Sequence, residues 1–162
     1  MDLFSEYLKN GSGYWHRRAL TDESMMSRTL PEGDTNATLA TYGDALLKFT
    51  LCQLLLDQVE ELTIEKAKYE SDVSLVKLAK HYDLLDYLIF DRGNSGIPKD
   101  YHVLPIEHSF SHSKKERVRR MNRRRKYIAT AMEALLGAMY LDHGDLAEIR
   151  TVVTEWMRIL QK

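Results

Sequence analysis

The segment Ala37-Thr-Leu-Ala-Thr-Tyr-Gly-Asp-Ala-Leu-Leu-Lys-Phe-Thr-Leu-Cys-Gln-Leu-Leu-Leu-Asp-Gln-Val59 decides the fold class. Leu39, Leu46, Leu47, Leu51, Leu54 and Leu55 recur at helical spacing, which predicts one long helix over 37–59. Thr35 or Asn36 is positioned to cap it, after the breaker Leu30-Pro31-Glu32-Gly33-Asp34. Upstream, Asn10-Gly11-Ser12-Gly13 separates two short helices between Asp2 and about Met26. Downstream, Thr63 and Asp72 read as N-caps of two shorter helices. The second of these places Val73, Val76, Leu78 and Ala79 inward, and Leu84, Leu85, Leu88 and Ile89 extend the burial. Tyr127 to Leu141 is a strongly apolar helix. Asp145 caps the last one, with Ile149, Val152, Val153, Trp156 and Leu160 inward. No strand-period segment or repeat interrupts this series, and the expected fold class is all-α.

The chain has 162 residues, 44% of them apolar and 29% charged, as expected of one globular domain over 1–162. Only eight Gly and three Pro punctuate it, consistent with helices joined by short connections. Cys52 is the single cysteine, so an internal disulfide is excluded. Among Leu51, Leu54 and Leu55 it reads as a buried structural thiol rather than a nucleophile. The N-terminus lacks a basic and apolar leader, and the most apolar stretch, 45–56, is too short to span a bilayer. A cytoplasmic setting without membrane contact is expected.

The formal net charge of −1 conceals a strong asymmetry. Lys114, Lys115, Arg117, Arg119, Arg120, Arg123, Arg124, Arg125 and Lys126 are opposed only by Glu116. That window carries +8 and the rest of the chain −9. Such a tract is either a solvated helix face or a surface that binds nucleic-acid phosphates through counterion release. Val118, Met121, Tyr127 and Ile128 carry a helical apolar spacing through it, which favours an ordered, phosphate-binding surface.

Two carboxylates occupy positions where burial is expected. Asp44 shares a helix face with Ala40, Leu47, Lys48 and Leu51; Glu133 shares one with Ala129, Thr130, Leu136, Gly137 and Tyr140. Each has a helix-interior glycine nearby, Gly43 and Gly137, the mark of close backbone approach. Helices crossing at these glycines would bring the two acids together. A converging acid pair suggests a divalent metal, and Mg²⁺ is commonly held by one or two carboxylates, waters and substrate phosphates. The alternative is that each acid pairs with a buried cation or a helix N-terminus. His108 and His112 have i, i+4 spacing but no third ligand nearby, which does not support zinc.

At these residues the sequence resembles the ribonuclease III family. Asn36-Ala-Thr-Leu-Ala-Thr-Tyr-Gly-Asp-Ala-Leu-Leu47 is similar to the motif N-E-x-L-E-F-L-G-D-A-V-L, in register without a gap. Leu62-Thr63, Lys66-Ala67-Lys68 and Ser71 resemble L-T-x-x-R-A-x-x-V-S. Thr130-Ala-Met-Glu-Ala-Leu-Leu-Gly-Ala-Met-Tyr-Leu-Asp142 resembles D-x-x-E-A-L-I-G-A-x-Y-L-D. Ala19-Leu20-Thr21 is similar to A-L-T-H, with Asp22 in place of the histidine. Three carboxylates of the family pattern are absent, their positions taken by Ala37, Ala40 and Thr130.

The resemblance implies an all-α endonuclease domain, active as a homodimer, that hydrolyses double-stranded or structured RNA. It implies Mg²⁺ (with Mn²⁺ as a substitute) at Asp44 and Glu133, the catalytic and metal-binding pair. Thr130 is an accessory candidate for orienting a water. Lys48 is another, either contacting the scissile region or an ordinary surface lysine. The length resembles the nuclease-domain-only branch, mini-ribonuclease III, without an appended double-stranded-RNA-binding domain. The basic tract at 114–126 then becomes the expected handle for RNA, in processing such as ribosomal RNA maturation. Two other readings stay open: a catalytically silent RNA-binding or ribosome-associated subunit of the same fold, and a general helical nucleic-acid-binding module.

Overall fold

The computed structural model describes residues 2–25, 35–90 and 114–162. They form α1 (Leu3–Asn10), α2 (Tyr14–Ala19), α3 (Asn36–Leu55), α4 (Leu62–Glu70), α5 (Asp72–His81), α6 (Lys114–His143) and α7 (Leu146–Leu160). Short 3₁₀ turns lie at Glu23–Met25 and Leu84–Asp86. Among the described residues no strand forms; an isolated parallel bridge joins Thr21 to Ile89. The all-α expectation holds. None of these helices is long and apolar enough to cross a membrane.

The centre of the fold is α6. Residues 131–139 are buried in succession, so this part of the helix has no solvent face. It is enclosed by α2, α3, α5 and α7. Leu39, Leu47 and Leu51 of α3 meet Met132, Leu135 and Leu136 in one core. Phe4 of α1 completes that core at the other side, its ring centroid 5.0 Å from Trp156 and 4.7 Å from Tyr82.

Several local expectations shift. α3 ends at Leu55 rather than Val59, because Leu56 is 63% exposed and no longer meets the core. Ser71, not Asp72, caps α5: its hydroxyl accepts the Ser74 amide at 3.2 Å, and Asp72 becomes a first-turn acid. Thr63 lies inside α4, whose cap position is Glu61. Val73 turns outward, and Leu75 takes the buried position. Ile89 is exposed, while its backbone pairs with Leu20 and Asp22. Cys52 and Leu160 are half-buried. Asp145 caps α7 as expected, accepting the Ala147 amide at 2.7 Å. The basic tract and the apolar helix prove to be one continuous helix of 30 residues. The segment 91–113, with His108 and His112, lies outside the described residues.

The tightest packing joins α3 to α6. A Cβ on Gly43 would fall 1.7 Å from the Glu133 carbonyl oxygen, a clash with backbone that no side-chain rotation relieves. A Cβ on Gly137 would meet its nearest atoms, the Gly43 amide nitrogen and the Leu39 carbonyl oxygen, at 3.1 Å, a crowded contact that requires α3 to give by a few tenths of an ångström. Gly43→Ala should therefore destabilise the protein by ~3 kcal/mol through overpacking. Gly137→Ala should cost ~1 kcal/mol or less, because helix propensity offsets the crowding. Urea midpoints of the two variants measure this; equal losses would contradict the asymmetry.

Candidate metal and RNA site

A groove of about 620 Å³ opens where α3, α6 and the α4–α5 junction meet. From α3 it receives Asn36, Ala40, Asp44 and Lys48, successive positions on one helix face. From α6 it receives Lys126, Thr130 and Glu133. Asp44 and Glu133 therefore share one cavity, as expected from helices that cross at their glycines.

The two acids differ in environment. Glu133 is 8% exposed and has no ion pair among the described residues. Burial, with Asp44 and Asp72 adding repulsion, pushes its carboxyl up to about 7, although Lys126 and Lys48 pull the other way. Asp44 is not buried as expected; its side chain is 31% exposed and accepts from the Lys48 ammonium at 2.6 Å. That hydrogen bond holds the Lys48 ammonium above the usual lysine range. The pair is half-solvated, so it contributes little to stability and is easily exchanged for another ion. Lys48 is thus first a partner of Asp44, on the exposed side of the groove.

Sequence reasoning missed part of this site. Glu70 and Asp72 line the groove from the α4–α5 junction, and Asp22 and Glu23 from the segment after α2. Glu70 is paired with Lys66 at 2.7 Å, and Asp72 lies 3.9 Å from Lys126. Asp22 is 1% exposed, its Oδ1 accepting the Ser24 amide at 2.9 Å. These residues lie far apart in the chain and carry no shared periodicity, so only the fold brings them together. The residues quoted in the resemblance included Ser71 and Asp22, but no pattern pointed them at one cavity.

Among the described residues, no cluster of three or more His, Cys, Asp or Glu forms a ready cation cage. Asp44 and Glu133 do fit a hard cation that keeps waters and takes the rest of its oxygens from a bound phosphate. Ala37 and Ala40, where the resembled motif has glutamates, face the groove and leave it without those oxygens. Of the basic tract, the side chains of Arg125 and Lys126 are described; Arg125 is half-buried and Lys126 exposed beside the groove. Lys114 to Arg124 lie on the N-terminal part of α6.

The ribonuclease III domain model matches residues 37–144, the span from α3 to the end of α6. The chain belongs to the ribonuclease III family. Ribonuclease 3 of Gloeobacter violaceus is 30% identical over 123 residues, covering 73% of this chain and 41% of that protein. Ribonuclease 3 of Geobacter sulfurreducens is 29% identical over 164 residues, covering 94% and 57%. The chain spans about half the length of the curated relatives it matches. The nuclease domain of ribonuclease III from Campylobacter jejuni superposes with a TM-score of 0.62 at 18% identity, covering 98% of this chain and 91% of that one. A second structure of that domain, whose subject is flexibility in a region involved in dimer formation, gives 0.63 at 19% identity. The chain thus has the fold of a ribonuclease III nuclease domain.

The raised Glu133 pKa couples stability to pH. An unfolded chain releases that proton near pH 4.5, whereas the folded one keeps it until about pH 7. Stability therefore falls as pH rises through that window, by as much as ~3 kcal/mol. Glu133→Gln should remove this contribution and be more stable than the parent at pH 8, with little difference at pH 4. Denaturant titrations at the two pH values test it, and an unchanged slope against pH in the variant would contradict it.

Proposed function

We propose that this chain is a metal-dependent endoribonuclease that hydrolyses phosphodiester bonds in double-stranded or structured RNA. The observation that carries the reading is the convergence of Asp44 and Glu133 in one groove at the glycine crossing. The two carboxylates would hold Mg²⁺, with Mn²⁺ as a substitute. Bound there, the ion supplies polarisation of a phosphate oxygen and a lowered pKa for the attacking water. Glu133 must release its proton to serve as a ligand. Thr130 presents a hydroxyl that can orient a water in the groove. Lys48 and Lys126 place cations beside the acids, where they would neutralise the RNA backbone. The tract from Lys114 to Arg125 continues on the same helix and would extend that grip along the duplex, without reading sequence.

A second reading is favoured by Ala37 and Ala40, whose methyl groups line the groove. A domain with this reduced carboxylate set could bind RNA without cutting it. Incubation with long double-stranded RNA and Mg²⁺, beside Asp44→Asn, separates the two. The parent should cleave, and the variant should be slower by at least about 10²-fold while binding RNA equally in EDTA. Binding without cleavage by either protein would establish the silent reading.

The proposed assembly is a homodimer. The outer face of α3 exposes Tyr42 and Phe49, and its C-cap residue Leu56 continues the line at seven-residue intervals, 41%, 51% and 63% accessible. A heptad-spaced apolar stripe on an otherwise well-packed helix is suited to a second helix. Such a face fits another copy of this chain, in line with the dimer-forming region named for the Campylobacter jejuni domain. Sedimentation of the parent should give a dimer at micromolar concentration, and Phe49→Asp a monomer. A monomeric parent would rule this assembly out.

A further inference from the structure

The acids of the groove differ in how their cations hold them. Glu70 is paired with Lys66 at 2.7 Å, and both side chains are largely buried. Asp72 meets Lys126 at the longer distance of 3.9 Å. Asp44 is held by Lys48 at 2.6 Å, with side chains 31% and 48% exposed. Lys48 follows Asp44 by four residues, the spacing at which an acid and a lysine meet on one helix face. Its charge is also attracted by Glu70 and Glu133. The Lys48 ammonium therefore stands at the rim of the groove where three carboxylates draw a cation, in contact with one of the two proposed metal ligands.

An ammonium is a compact, hydrated charge on a flexible four-carbon stem, so it can change anions without moving its helix. A half-solvated pair of this kind is held by a small free energy. A dication ligated by Asp44 would stand within about 7 Å of the Lys48 ammonium, whichever carboxylate oxygen it takes. The two positive charges repel, and the exposed lysine swings outward. Duplex RNA over the groove supplies the anion that receives it, a backbone phosphate. Linkage then works in both directions: a phosphate that draws Lys48 away from Asp44 raises the affinity of Asp44 for the metal, and the metal raises the affinity for RNA.

We infer that Lys48 is a tethered counterion, which fills the cation position at Asp44 in the metal-free groove and passes to an RNA phosphate when metal and RNA bind, coupling the two ligands. The inference rests on the proposed function of the groove as a metal-dependent RNA site. It gives Lys48 a role apart from that of a ligand: it sets how much metal the domain binds before RNA arrives.

The test begins with Mn²⁺ alone, titrated at pH 8 into the RNA-free full chain and its Lys48→Met variant and followed by electron paramagnetic resonance of the free ion. Lys48→Met should bind Mn²⁺ roughly two- to fivefold more tightly, the scale of a half-solvated ion pair. Nitrogen-15 relaxation of the Lys48 Nζ in the parent should show a restrained ammonium that Mg²⁺ sets free, a change that a lysine acting only through space would not show. Cleavage of long double-stranded RNA then gives the Mg²⁺ concentration for half-maximal rate. The ratio of the RNA-free Mg²⁺ dissociation constant, from calorimetry, to that concentration should be two- to fivefold larger in the parent than in Lys48→Met. Equal metal affinities, an Nζ unaltered by Mg²⁺ or equal ratios would overturn the inference. If Lys48→Met does not fold, the Nζ relaxation of the parent decides. A parent that binds metal but neither binds nor cuts RNA overturns the proposed function and the hand-over together. A parent that cuts RNA while Lys48→Met leaves the metal affinity unchanged removes the counterion alone.

Discussion

The rest of this structure depends on one contact, the approach of the α3 backbone at Gly43 to the α6 backbone at Glu133. No side chain intervenes there, so the two backbones approach each other directly. Two consequences follow from the same geometry. The flanking leucines of α3 reach the buried segment of α6 and build the core. The residue touched by Gly43 is itself the acid of α6, and the residue after Gly43 is the acid of α3. Core and candidate site are thus set by a single crossing, and a change in one moves the other.

The electrostatics of the groove follow from where that crossing leaves each acid. Glu133 lies on the inner side and loses water, so its carboxyl keeps its proton to about pH 7. Asp44 lies toward the rim, where Lys48 reaches it. A divalent cation would reverse this balance: it would replace the Lys48 contact and favour the ionised form of Glu133. The domain pays for the readiness of its site in folding stability, because above pH 7 a buried charge stands there unpaired among the described residues. Ala37 and Ala40 add no oxygen to the groove, so a cation held there would depend more heavily on its ligand to complete a coordination sphere.

Much of this was legible in the residues. Leucines at helical spacing, caps such as Asp145 and the scarcity of glycine and proline specify the helices. The two mid-helix glycines beside two acids even forecast the crossing, because glycine inside a helix is retained where backbones touch. Errors appeared where neighbouring residues compete for the same local role. Ser71 and Asp72 can both cap a helix, and the hydroxyl with the better reach to the Ser74 amide wins. Val73 and Leu75 both fit an apolar face within one turn, and only the direction of α6 distinguishes them.

Residue order by itself therefore determined the all-α class, the family and the two acids, because each is carried by local spacing and by motifs contiguous in the chain. The tertiary structure alone decided which acid is dry and which is wet, since burial depends on what packs across from a residue. It also gathered Asp22, Asn36, Glu70 and Asp72 onto one groove from three separate segments. Their meeting is set by the angle and depth at which α3, α6 and the α4–α5 junction pack, a property of long-range contacts that no local pattern encodes.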